Sequence, residues 1–220
     1  MNGRFFLKRM SFMLCLALWT VYGYAQGDKV RDSEYYPKNE IYIQYGTPTI
    51  MELVTTMQVD YKSASGHYDG ESRNHKFSGV GGLGYNFFIS PSMALGVYAG
   101  VSYSSADLYI THMENVNLKE PTMVCRSNIM NYSGQLSLSM IYWQRGAWEC
   151  SGAVYLGVCY LDESIDVREE QYVIPEPDSR FKVAYHITPV KFRYGNAVGF
   201  FAELGFGYRG LLNVGLSVKI

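Results

Sequence analysis

Cysteine, histidine, net charge and long apolar runs are all scarce in this chain, and each scarcity closes a class of explanation. Cysteine occurs four times in 220 residues. Cys15 lies in the leader, with bulky Leu14 before it where a lipoprotein signal needs a small residue. Cys125, Cys150 and Cys159 remain, an odd number, and Cys150 and Cys159 fall on one predicted strand with opposite parity, so they do not meet. No disulfide framework and no metal-ligand spacing follows, and no metal or cofactor is called for. The four histidines are His67 and His75 in a first long connection, His112 in a second and His186 near the top of a strand. None belongs to a motif that sets a base beside a nucleophile and an acid. Nineteen basic against twenty acidic residues leave a net charge of −1. Nucleic acid is therefore not an expected partner, because phosphate binding rests on clustered Lys and Arg.

Only the first residues make an apolar run, and it is too short to span a bilayer as a helix. Arg4, Lys8 and Arg9 precede Met13-Leu14-Cys15-Leu16-Ala17-Leu18-Trp19, and Gly23-Tyr24-Ala25 supplies small residues for a peptidase. Residues 1–25 therefore read as a signal peptide cleaved between Ala25 and Gln26. The remaining 195 residues carry 16 basic and 20 acidic side chains and suit one domain. Residues 26–39 form a polar periplasmic leader before the domain at 40–220.

What the chain has in abundance is alternation. Leu212, Val214, Leu216, Val218 and Ile220 share one face of a strand, while Asn213, Gly215, Ser217 and Lys219 share the other. The same period appears in Glu40–Gly46, Phe77–Phe87, Met93–Ser104, Met130–Tyr142, Trp148–Tyr160, Ala184–Tyr194 and Val198–Tyr208, making eight strands. Connections after the second, fourth and sixth strands are turn-like. Those after the first, third and fifth are long: residues 48–75, 106–125 and 163–180. Membrane barrels sort short periplasmic turns from long external loops in this way.

A soluble barrel would alternate too, with its apolar face inward. Three features favour the inverse. The less apolar face is built from small residues, among them Ser78, Gly84, Gly96, Ser133, Ser137 and Gly205, which suits a narrow lumen better than a wet exterior. The apolar face carries an aromatic girdle: Tyr103, Tyr132, Tyr160 and Tyr208 toward the long connections, and Tyr142, Trp148 and Tyr194 toward the turns. Tyr132 and Tyr142 lie about 25 Å apart along a tilted strand, matching an outer-membrane apolar band. Strand charges share the small-residue face: Glu40, Glu149, Lys191, Arg193, Glu203 and Lys219 are expected inside. Glu203 sits mid-strand and needs a partner, with Lys191 and Arg193 as candidates. Pro189 within the sixth strand calls for a bulge, or for a strand that starts after it.

These strands resemble the OmpA- and OmpX-like outer-membrane β-barrel domain family of Gram-negative bacteria. Asn213-Val-Gly215-Leu-Ser-Val218-Lys-Ile220 is similar to that family's assembly signal, with Asn213, Gly215, Val218 and Ile220 at the key positions. Asn39-Glu-Ile-Tyr-Ile-Gln-Tyr-Gly46 and Gly199-Phe-Phe-Ala-Glu-Leu-Gly-Phe-Gly-Tyr208 are also similar to its strands. The resemblance implies an all-β, eight-stranded, antiparallel, up-and-down transmembrane β-barrel in the cell outer membrane, inserted by the barrel-assembly machinery.

Expected partners are outer-membrane lipid and an extracellular ligand or host surface met through loops 48–75, 106–125 and 163–180. A non-enzymatic, adhesion-like or structural role leads. A narrow pore for small solutes is second, and a lipid-modifying enzyme third. Ile50, Leu53, Val54 and Met57 predict a short helix behind Thr49, placed at the membrane surface, over the mouth or against a partner, with packing on the rim favoured. Pro175 and Pro177 predict a stiff loop tip.

Overall fold

The computed structural model describes residues 37–49, 60–62, 68–112, 122–168 and 179–220. The expected signal peptide, most of the expected leader, the short helix expected at 50–57 and the stiff tip expected at 173–177 lie outside the described residues.

Nine strands form one antiparallel sheet: β1 Asn39–Thr47, β2 Asp60–Lys62, β3 Tyr68–Ser90, β4 Met93–His112, β5 Thr122–Arg145, β6 Trp148–Val167, β7 Arg180–Gly195, β8 Val198–Gly207 and β9 Leu212–Lys219. Eight of them close a ring in the order β1, β9, β8, β7, β6, β5, β4, β3 and back to β1. The three-residue β2 adds outside the ring, against the far end of β3. Closure happens where the first and last strands meet. Ile41 pairs with Val218, Tyr45 with Val214, and Asn39 and Ile220 exchange backbone hydrogen bonds of 3.0 and 2.8 Å. A closed ring leaves no unpaired edge along the shared height of its strands.

Two-residue turns join β3 to β4, β5 to β6 and β7 to β8 at Pro91-Ser92, Gly146-Ala147 and Asn196-Ala197. Gly146 has φ of +60°, which is why glycine stands there. At the opposite end, β3 to β6 run well past the limits their alternation suggests. Strand β3 starts at Tyr68 and not Phe77, β4 continues to His112, β5 starts at Thr122 and β6 reaches Val167. Much of each expected long loop is therefore strand. Alternation missed it because the face that is apolar lower down turns polar there, with Ser105, Asp107, Arg126, Asn128 and Asp166. Register shifts between Arg73 and Lys76 and between Phe77 and Val80 break the period further. Four strands of the ring thus stand as a tall wall beyond the other four.

The expected irregularity at Pro189 is a bulge. Ile187 pairs with Phe206 and Val190 with Leu204, so two residues of β7 oppose one of β8, and the same offset appears against β6. The extra residue exchanges the two faces. His186 and Thr188 point inward before the count change, and Lys191 and Arg193 point inward after it. A second bulge at Tyr142 does the same near the end of β5 and leaves Ile141 inside.

Burial inverts the pattern of a soluble barrel. Most large apolar side chains lie on the outside: Leu136 is 69 % exposed, Leu156 64 % and Val183 66 %. The buried set is dominated instead by polar and charged groups, together with a cluster of Tyr42, Tyr98, Tyr155 and Phe201. Glycine and aromatic residues interlock inside. Side chains added at Gly82 or Gly84 would run into the rings of Tyr98 or Tyr42, so these two glycines are sockets for the two rings.

Candidate functional site

All six charges expected in the interior are there. Glu40, Glu149, Lys191, Arg193 and Glu203 are buried, and the Lys219 side chain is nearly so. They form two layers. Nearer the two-residue turns, Glu40 accepts a hydrogen bond from Asn86 Nδ2 at 2.9 Å and lies 3.9 Å from Lys191 Nζ and 3.7 Å from Arg193 Nε. Arg193 also donates to Ser217 Oγ at 2.7 Å and to the carbonyls of Gly195 and Asn196, so it caps the β7–β8 turn from within. Lys219 stands opposite Glu40 in the ladder but pairs with Glu149 Oε2 at 2.5 Å.

The middle layer corrects the expected partner of Glu203. Lys191 is its direct neighbour in the β7–β8 ladder, yet its ammonium reaches toward Glu40 and sits 4.2 Å from the centre of the Phe201 ring. The cation beside Glu203 is Arg209, with NH2 3.0 Å from Oε1. Arg209 comes from the short connection between β8 and β9 and is 1 % exposed. Its guanidinium donates to Gln44 Oε1 and lies 3.8 Å from the centre of the Tyr155 ring, 4.6 Å from Tyr98 and 5.8 Å from Tyr42. A planar, weakly hydrated cation suits such a cage of rings. Strand alternation does not reach Arg209, because it lies between β8 and β9. The available signal was its position before Gly210, whose φ of +117° lets so short a connection fold back into the lumen.

His186 belongs to the same layer. The backbone N–H of Arg209 donates to its Nδ1 at 3.4 Å, so the neutral ring carries its proton on Nε2 and donates to Thr188 Oγ1 at 3.1 Å. Both ring nitrogens are thus engaged in holding the connection. On β5, Gln135 Oε1 and Nε2, Ser137 Oγ and Asn131 Oδ1 are buried with no protein hydrogen bond. Leaving such groups unsatisfied costs about 1–3 kcal/mol each. Among the described residues, the ring cluster and the Glu203–Arg209 pair both project into the lumen.

The outer girdle is placed as follows. Tyr103, Tyr132, Trp148 and Tyr194 are exposed, and the Trp148 and Tyr194 rings meet at 4.7 Å across β6 and β7. Tyr160 is half-buried against Phe181, and Tyr142 lies over Gly152. Tyr208 does not belong with them. It is 7 % exposed and packs on Cys159 and Ala184. Strand β8 ends at Gly207, with φ of +137°, and the chain turns Tyr208 inward beyond it. Of the four residues expected to form an assembly signal, Asn213 is fully buried and donates to the Gly210 carbonyl, Gly215 abuts the Phe201 ring, and Val218 and Ile220 face outward. Cys125, Cys150 and Cys159 are all free thiols. Among the described residues no group of His, Cys, Asp or Glu is arranged to hold a metal ion.

On the tall wall, Arg126 binds Asp107 through Nε at 2.6 Å and NH2 at 3.3 Å, and Asn74 Nδ2 donates to the same carboxylate at 3.1 Å. Tyr103 Oη donates to Asn128, which donates to Asp166 at 2.9 Å. No protein-family model matches this chain, and no curated protein matches it.

Proposed function

We propose that this chain is an integral outer-membrane β-barrel protein with a structural or surface-interaction role, related in kind to the OmpA- and OmpX-like barrels. One observation carries the reading: in a closed ring, the aliphatic face is outside and the ion-paired face inside. Water would reward the opposite arrangement at about 25 cal/mol for each Å² of apolar surface. Hydrocarbon rewards this one, because it satisfies no backbone group and so admits strands only as a closed barrel. The band between the Tyr132 and Tyr142 levels is about 25 Å tall at a tilt near 40°, which fits an outer membrane.

The two-residue turns then lie on the periplasmic side, and the β3–β6 wall stands in the external medium. A polar wall held rigid by cross-strand pairs such as Arg126–Asp107 is a platform for contact with an extracellular ligand or another surface. The lumen is a stabilising lattice with no catalytic task. Insertion would depend on the barrel-assembly machinery and on an export signal at residues 1–25. The test is to refold the purified chain in detergent and in lipid vesicles. A closed membrane barrel migrates faster before boiling than after and floats with the vesicles. A chain that stays folded and monomeric in plain buffer overturns the reading.

A narrow pore is the second reading, favoured by the inward polar side chains of Gln135 and Ser137 on β5. Arg209 and its ring cage block it at mid-height. Single-channel current that rises sharply in Arg209→Gly would support that reading over a purely structural one.

A further inference from the structure

The outer face of the tall wall, just above the aromatic girdle, gathers cations around one buried carboxylate. Asp107 is 4 % exposed, and both of its oxygens are taken by Arg126 and Asn74. Arg73 stands opposite it in the β3–β4 ladder, Arg126 opposite it in the β4–β5 ladder, and Lys76 pairs with Ser105 one step below. Residues directly opposite each other share a sheet face, so Arg73, Lys76 and Arg126 all present on the side that lower down carries Val101 and Tyr103. Lys76 is exposed, and it lies close enough to Asp107 to help hold that carboxylate charged. Arg126 leaves about a third of its side chain to solvent, and two of its N–H groups are tied to Asp107. A guanidinium clamped in this way keeps its remaining donors in a fixed fork, the geometry that matches a phosphate.

Height decides what reaches them. Ser105 lies about 5 Å and Asp107 about 10 Å above Tyr103 along the barrel axis, from the strand rise and a tilt near 40°. If the Tyr103 ring marks the edge of the hydrocarbon, the cations stand in the headgroup layer, and their stems run along apolar surface. Asp166 stands directly opposite Arg126 in the β5–β6 ladder and accepts from Asn128 at 2.9 Å, so Arg126 has a carboxylate on either side, and the excess positive charge of the patch lies toward Lys76 and Arg73.

We infer that Lys76 and Arg126, organised by Asp107 and flanked by Arg73, form a binding site for the phosphate of an outer-leaflet lipid headgroup. This rests on the membrane reading above. The lipid's acyl chains would lie on Leu95, Val97, Val101 and Leu136 below, all of them exposed.

The test uses native mass spectrometry of the full refolded barrel in detergent, with phosphorylated lipid A, the same lipid after phosphatase treatment, and inorganic phosphate. The wild type is expected to retain phosphorylated lipid A, with dephosphorylation weakening retention about tenfold, the worth of one charge-assisted hydrogen bond. K76Q and R126K should each weaken it similarly while the gel shift on boiling persists; R126K keeps a cation for Asp107 and loses only the fork. Arg145→Gln, at the opposite rim, should leave it unchanged. Equal retention of both lipids by a barrel that still shows the gel shift overturns the site and leaves the membrane reading standing. Inorganic phosphate held as tightly as the lipid also overturns it. A chain with no gel shift and no flotation overturns the membrane reading itself.

Discussion

Leu136→Arg separates a lipid-facing belt from an ordinary protein surface. Leu136 is 69 % exposed and sits mid-strand on β5, beside Val97 on β4 and Leu156 on β6. It lies four residues from the Tyr132 level, which is about 10 Å into the band at 3.3 Å per residue and a tilt near 40°. If water covered this face, an exposed leucine could become arginine within about ±0.5 kcal/mol. If hydrocarbon covers it, the charge costs about 2–4 kcal/mol, or roughly 30- to 800-fold in the folding equilibrium. Val198→Arg provides the matched comparison: Val198 is 65 % exposed but stands at the turn end of β8, where the cost falls to about 0–1 kcal/mol. Equilibrium urea unfolding in lipid vesicles, followed by tryptophan fluorescence, measures both. Costs equal within about 0.5 kcal/mol at the two depths would refute the belt.

The other expectations concern the lumen and the wall. Arg209→Met strands Glu203 in the interior and should cost about 3–5 kcal/mol in the same unfolding assay, whereas adding Glu203→Gln should recover much of that loss, so a double-mutant cycle reads the coupling. Gly84→Ala should destabilise by about 1–3 kcal/mol because the new methyl meets the Tyr42 ring; a loss below about 0.5 kcal/mol would show that the ring moves aside freely. Deleting Pro189 removes the one extra residue of β7 and leaves Lys191 inward and opposite Glu203, so the chain should still give the heat-shifted gel species; its loss would show that the bulge itself is needed for closure. The Arg126 hydrogen bond holds the Asp107 carboxyl below the usual carboxylate range. Its contribution to the wall is therefore present above the ordinary carboxylate value and is lost as pH falls through the lowered one, which amide hydrogen exchange around 105–109 should detect as faster exchange on acidification.

Much of this architecture is written along single strands. Alternation in Leu212–Ile220 or Met93–Ser104 depends only on which side of the backbone each residue leaves, so strand count, inward charges and outward aliphatics follow from local order. Pro189 announces its own bulge because it lacks the N–H that the ladder needs. The tall wall escaped because its outer face turns polar there, so the pattern of apolar residues outside and small ones inside stops at its foot. Its strands persist through cross-strand partners such as Arg126 and Asp107, nineteen residues apart in sequence, and no periodicity reports such a pair. Tyr208 was misplaced for a related reason: alternation was carried one residue past the end of β8.

By itself, then, the order of residues determined an alternating eight-stranded ring with its charges on one face, since parity is a property of the extended backbone. Only the tertiary structure decided which charge meets which. Glu203 finds Arg209 and not its ladder neighbour Lys191, because a four-residue connection folds back into the lumen and places a guanidinium among three tyrosine rings contributed by β1, β4 and β6. Contacts across a closed barrel depend on how far each side chain reaches into shared space, and that distance exists only once the ring has closed.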